Sequence, residues 1–139
     1  MKLTSYPLFV GFFIGVAAAL AGCSIGRSVG QCVPVTGKIT LGGKPLIGGT
    51  VMFIPLESDA SAPRPEAQID AQGLYSLKTE GIDGAPPGKY RAVVTTSGLD
   101  KKQDAQFNAV YSSWEKSPLV RQVADDAAPG AYDLKLDPR

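Results

Sequence analysis

From position 35 onward, apolar and polar residues take turns with a period of two. Val35, Gly37, Ile39 and Leu41 fall on one face and Thr36, Lys38 and Thr40 on the other, the pattern of a half-buried β-strand. Gly42-Gly43-Lys44-Pro45 supplies a turn, since glycine tolerates positive φ and proline donates no ladder hydrogen bond. After a second bend at Gly48-Gly49, the run Thr50-Val51-Met52-Phe53-Ile54 is rich in β-formers and apolar on both faces, as a central strand is. Residues 56–66 have no period and carry Ser58, Asp59, Ser61, Pro63 and Pro65, which predicts an exposed loop. A hairpin is predicted next, with residues 67–69 leading into the turn Asp70-Ala71-Gln72-Gly73 and Tyr75 and Leu77 pointing inward on the return.

The second half repeats the theme. Gly81, Asp83, Gly84, Pro86, Pro87 and Gly88 make a stiff connection, and residues 89–96 then alternate with Tyr90, Ala92 and Val94 inward. Residues 97–108, with Asp100, Lys101, Lys102, Gln103 and Asp104, are polar and aperiodic and predict a mobile loop. Val110, Tyr111 and Trp114 precede a strand over residues 119–123, a turn over 125–130, and a last strand carrying Tyr132, Leu134 and Leu136. About seven short strands joined by turn chemistry, with no stretch of helical period, predict an all-β chain folded as a seven-stranded antiparallel β-sandwich. The expected core is Ile39, Leu41, Val51, Phe53, Tyr75, Leu77, Tyr90, Ala92, Val94, Val123, Tyr132, Leu134 and Leu136.

Upstream of the alternation the chain is of another kind. Lys2 precedes an apolar run through Leu8, Phe9, Val10, Phe12, Phe13, Ile14 and Val16 to Leu20, the layout of a signal peptide. The run is short for a permanent span, which takes roughly 18–20 apolar residues, and no basic cluster follows to stop transfer. It ends in Leu20-Ala21-Gly22-Cys23, which resembles the processing site of bacterial lipoprotein precursors, where the cysteine receives a diacylglyceryl thioether before cleavage. A competing site among Ala17, Ala18 and Ala19 would release a soluble exported protein instead. The expected organisation is a signal peptide over residues 1–22, a tether over 23–34 and a domain over 35–139. Acyl chains on Cys23 would hold the domain to the membrane without spanning it, each buried methylene contributing about 0.8 kcal/mol.

Composition narrows the chemistry. The chain of 139 residues has a formal charge of +1 and no basic block, which argues against a nucleic-acid partner. It contains no histidine, so Ser-His-Asp and Cys-His nucleophiles and imidazole zinc sites are excluded. Cys32 is the only other cysteine: with Cys23 lipidated it has no intrachain partner, and without lipid the two could bridge. Neither a cation nor a helix start lies beside Cys32 to activate it, so an inert tether residue is the expectation.

Three constellations are candidate sites. Trp114 with Tyr111 reads either as a cap over one end of the core or as an aromatic platform for a sugar or a protein. Lys38, Asp133 and Glu66 are the one trio that could form an isopeptide crosslink, yet alternation places Lys38 and Asp133 on polar faces, where solvated side chains are expected. Asp70, Asp83, Asp125 and Asp126 lack the spacing of a calcium loop and read as turn residues, so no metal and no cofactor is expected.

Three pieces in order, Val35 to Val51 with its Gly-Gly-Lys-Pro and Gly-Gly bends, Asp70-Ala71-Gln72-Gly73-Leu74-Tyr75, and Pro87-Gly88-Lys89-Tyr90, resemble the carboxypeptidase regulatory-like, transthyretin-type domain. A lipoprotein leader followed by one such domain is similar to small lipoproteins abundant in planctomycete bacteria. The resemblance implies a seven-stranded sandwich acting as an accessory or binding module without catalysis. A hydroxyisourate hydrolase of the transthyretin type relies on histidines and a particular C-terminal tail, whereas this chain has no histidine and ends Leu136-Asp137-Pro138-Arg139. The expected function is that of a membrane-anchored envelope lipoprotein, facing the periplasm or the exterior, with a structural or protein-binding role. The alternative is a carrier of a small ligand or glycan.

Overall fold

A computed structural model describes residues 29–57 and 61–139. The signal peptide and the lipidation site at Cys23 lie outside the described residues. The alternating segments form two sheets packed face to face, an all-β sandwich. In the smaller sheet, β1 (Thr36–Leu41) is central. It pairs antiparallel with β2 (Lys44–Pro45) and with β5 (Leu74–Ser76), and parallel with β10 (Leu134–Leu136). The larger sheet has the order β7-β6-β4-β3-β8-β9, made of β7 (Ile82–Asp83), β6 (Lys78–Thr79), β4 (Glu66–Gln68), β3 (Thr50–Pro55), β8 (Gly88–Thr95) and β9 (Val120–Val123).

The period-two residues meet between the sheets. Phe53 is fully buried, its ring 6.3 Å from that of Tyr75 and 5.9 Å from that of Tyr90, so it joins both layers. All thirteen residues expected in the core are buried, and Val35, Leu46, Ile69, Ala85, Phe107, Tyr111 and Leu119 join them, while Val93 is buried on the outer face of the larger sheet. The apolar run of β3 is indeed central, flanked by β4 and β8 in continuous antiparallel register. Its Val51 and Phe53 face the core, while Met52 and Ile54 lie half-buried on the outer face.

Three details differ from the sequence expectation. First, β10 runs parallel to β1 (Ile39 opposite Leu134, Leu41 opposite Leu136), because the chain crosses from β9 to the other sheet before re-entering. Alternation fixes which side chains face inward but carries no information about strand direction. Second, the predicted hairpin is closed at its ends, by Asp70 N–H to Leu74 O and by Glu66 opposite Lys78, and splayed between them. There β4 stays in the larger sheet and β5 leaves for β1, so the hairpin bridges both layers. Third, residues 97–108 contain a helix, α1 (Lys101–Gln106), with Asp100 as N-cap accepting from the Lys102 and Gln103 amides. A helix of six residues is too short to show a 3.6-residue stripe. Gln103 anchors it, its amide donating to Pro45 O at 2.7 Å and its carbonyl accepting from Ile47 N–H at 2.8 Å.

The chain enters the sandwich slightly before the alternation starts. Val33, within the segment read as tether, exchanges backbone hydrogen bonds of 2.8 and 2.9 Å with Ala85. That places the start of the domain beside the loops around residues 84–88 and 124–130, whereas α1 and the C-terminal Arg139, whose N–H donates to Gln106 O, close the opposite end. Among the described residues no helix is long and apolar enough to cross a membrane.

Candidate functional site

The best-built surface feature arises where β9 stops short. It covers β8 only from Gly88 to Arg91, and beyond that the β8 carbonyls would face water as an open edge. Two serines of the following segment close that edge. Ser117 Oγ donates to Ala92 O at 2.7 Å and Ser112 Oγ to Val94 O at 2.8 Å. Ser112 ends a 3-10 turn over Ala109–Ser112 that is capped by Asn108, whose side chain accepts from the Val110 amide. Trp114 sits at the tip of this strap. The Arg91 guanidinium reaches up from β8 and its Nη1 donates to Trp114 O at 3.1 Å and Glu115 O at 2.8 Å, while Nε is buried without a partner.

The strap separates the two aromatic candidates. Tyr111 is buried, its ring in edge contact with Phe107 and its hydroxyl accepting from the Asp137 N–H at 3.0 Å. Trp114 is 64% exposed. The two rings therefore form no common platform; Tyr111 holds the core and Trp114 alone faces outward. Three residues apart on a continuing helix they would share a face, but the turn ends at Ser112 and the chain reverses. Trp114 instead walls a cleft of about 420 Å³ with Met52, Ile54, Arg64, Val93 and Ser112. The sequence signal for this neighbourhood was the outward-facing Met52 and Ile54, apolar where a half-solvated strand carries polar residues.

Arg91→Ala should free the strap. We expect a stability loss of about 1.5–3 kcal/mol, as for hydrogen bonds to a charged group. We also expect added nanosecond motion of the indole, read by time-resolved fluorescence anisotropy of the chain's single tryptophan.

The remaining candidates take structural roles. The Asp133 carboxylate accepts from the Lys38 backbone N–H at 2.9 Å, the Lys38 side chain is exposed, and Glu66 lies in the other sheet. The trio is thus not brought together as a buried crosslink site. Asp70 accepts from the Gln72 and Leu74 amides, and Asp83 pairs with Lys78 at 3.5 Å. Among the described residues no three His, Cys, Asp or Glu side chains cluster as a cation site would require. Cys32 is half-buried with its thiol 3.6 Å from Gly30 O.

Buried phenols mark the core's electrostatics. Tyr75 donates to Tyr132 O, and its pKa is pushed well above the ordinary 10, chiefly by burial, with Asp133 and Tyr132 adding to the rise and Arg121 opposing it. Tyr90, bonded to Pro86 O at 2.7 Å, is raised by burial and then by Cys32. Above pH 10 the unfolded chain loses these protons while the folded chain keeps them, so folding stability falls as pH rises. For Tyr75 the expected slope is about 1.4 kcal/mol per pH unit, and Tyr90 adds to it in the same direction. Tyr75→Phe should remove its share, read from urea unfolding across the alkaline range.

No family model, no curated protein and no solved structure matches the chain.

Proposed function

We propose that the chain is an envelope lipoprotein, anchored by acyl chains on Cys23, whose β-sandwich is displayed on the periplasmic or outer surface as a binding module without catalysis. The observation that carries this reading is Leu20-Ala21-Gly22-Cys23 at the end of a short apolar run, directly ahead of a β-domain. Nine residues, ten Cα-to-Cα steps, separate Cys23 from Val33 of the Val33–Ala85 bridge, a leash of at most about 35 Å when fully extended. A domain held from that end keeps the outer face of its larger sheet clear of the anchor, which suits a structural or protein-binding role.

A second reading, a carrier of a glycan or small ligand, is favoured by the clamped, outward-facing Trp114 and its cleft. The anchor is tested by fractionation. Wild type is expected in the membrane pellet and Cys23→Ala in the soluble fraction; equal retention of both would remove the lipid anchor from the account.

A further inference from the structure

We propose that the outer face of the larger sheet binds a neutral oligosaccharide in a trough that begins at Trp114. The cleft beside Trp114 does not end at β3. It shares Met52 and Arg64 with a second hollow of about 760 Å³ that continues over β4 to Lys78 and Glu80. The pairing register shows why the two are continuous. Val93 lies opposite Met52, Met52 opposite Glu66, and Glu66 opposite Lys78, so one row of outward side chains crosses four strands. Three strand spacings make that row about 14 Å long.

Its chemistry changes along its length. At the β8 end the floor is Val93 and Met52 and the wall is the exposed indole, whose electron-rich face attracts the weakly positive C–H bonds on the flat side of a sugar ring. Farther along, Arg64, Glu66 and Lys78 supply donors and acceptors together, matching hydroxyls that do both. Arg64 and Lys78 are balanced by Glu66 and Glu80, so the trough has no net sign to attract a polyanion. Lys78 is shared with Asp83, but at 62% and 81% exposure that pair holds too weakly to withhold it from a ligand. The floor is the face of strands paired on both sides, so an extended peptide finds no free ladder of N–H and C=O groups there. An open trough with one aromatic wall fits a chain of sugars lying across the strands.

This inference rests on the binding-module reading, and its test is independent of the anchor. The full chain in a detergent without a sugar headgroup is titrated with maltohexaose, cellohexaose and the matching disaccharides, following the fluorescence of its single tryptophan. Oligogalacturonate and a neutral extended peptide serve as competitors. At least one neutral series should give a saturable change, tighter for the hexasaccharide. By calorimetry, Trp114→Ala should weaken it roughly tenfold or more, about 1.4 kcal/mol. Lys78→Ala, at the far end from the strap, should weaken it severalfold with the indole signal intact. No binding of either series at millimolar concentration, binding indifferent to Trp114→Ala, or a response confined to the polyanion or the peptide would overturn the proposal. Loss of sugar binding with membrane retention intact would fail the trough alone, and the reverse would fail the anchor alone.

Discussion

Phe53→Ala is expected to lower the free energy of unfolding by about 3–5 kcal/mol, the range for a large aromatic removed from a packed interior. Phe53 is fully buried and contacts the rings of Tyr75 from the smaller sheet and Tyr90 from its own. Truncation leaves a cavity at the point where the layers meet, and neither tyrosine can slide in to fill it. The Tyr75 hydroxyl is committed to Tyr132 O and the Tyr90 hydroxyl to Pro86 O. Native domains have only about 5–15 kcal/mol to lose, so the melting temperature should fall by about 15 °C or more. Phe53→Leu, which keeps most of the volume, should cost far less in the same urea titration. Equal losses for the two variants would show that the packing of this ring does not matter as described.

The second large effect is expected at Gly84, where the chain enters the sandwich. Its φ is +98°, and a Cβ there would stand 2.2 Å from Val33 O and 2.6 Å from Val33 C, both backbone atoms that cannot rotate away. Gly43 separates the two penalties, since its φ is +82° but a Cβ would meet nothing within 4 Å. Gly43→Ala therefore reports the backbone strain alone, about 1–2 kcal/mol. Gly84→Ala must in addition push Val33 off and break both hydrogen bonds of the Val33–Ala85 bridge, a further 1–3 kcal/mol or so. Hydrogen exchange should show the Val33 and Ala85 amides losing protection in Gly84→Ala and keeping it in Gly43→Ala. Indistinguishable losses of stability would mean that the close approach at Val33 O is relieved without breaking the bridge.

The parts of the fold that were legible are those where one physical rule acts alone. Ile39, Leu41, Val51, Phe53, Val94 and Leu134 alternate with polar residues, and a half-buried strand allows only one face to carry them inward. Leu46 and Phe107 were missed because each lies next to an element and not within its period, buried by a turn or a helix end; Leu119 has the parity of Val123 in the predicted strand and is buried with it at the strand entrance. Helix α1 left one sequence trace, Asp100 followed by Gln103, and its tie to the sandwich runs through the Gln103 side chain, which no local pattern announces. Strand β10 kept its inward residues as expected and changed only its direction, which depends on where the chain crosses between sheets.

The candidate site was legible in one residue. Trp114 stood out as a lone tryptophan in a connection, but its fixation depends on Ser112 and Ser117 meeting the uncovered carbonyls of β8, a tertiary consequence of β9 being short, and on Arg91 of β8 donating to Trp114 O and Glu115 O. Tyr111 and Trp114 look alike in sequence and point opposite ways in the fold, because the four-residue 3-10 turn ends at Ser112, before Trp114, and keeps no helical face for the two to share. The outer row from Val93 to Lys78 draws on four separate strands and could be assembled only once their register was known.

The lipid anchor on Cys23 is tested most directly by the intact mass of the mature protein extracted from membranes. The expected mass is that of a chain beginning at Cys23 with added diacylglyceryl and acyl groups, and those groups should be absent from a Cys23→Ala variant. A chain without lipid, lighter by the two hydrogens of a disulfide between Cys23 and Cys32, would contradict it and make this a soluble exported domain.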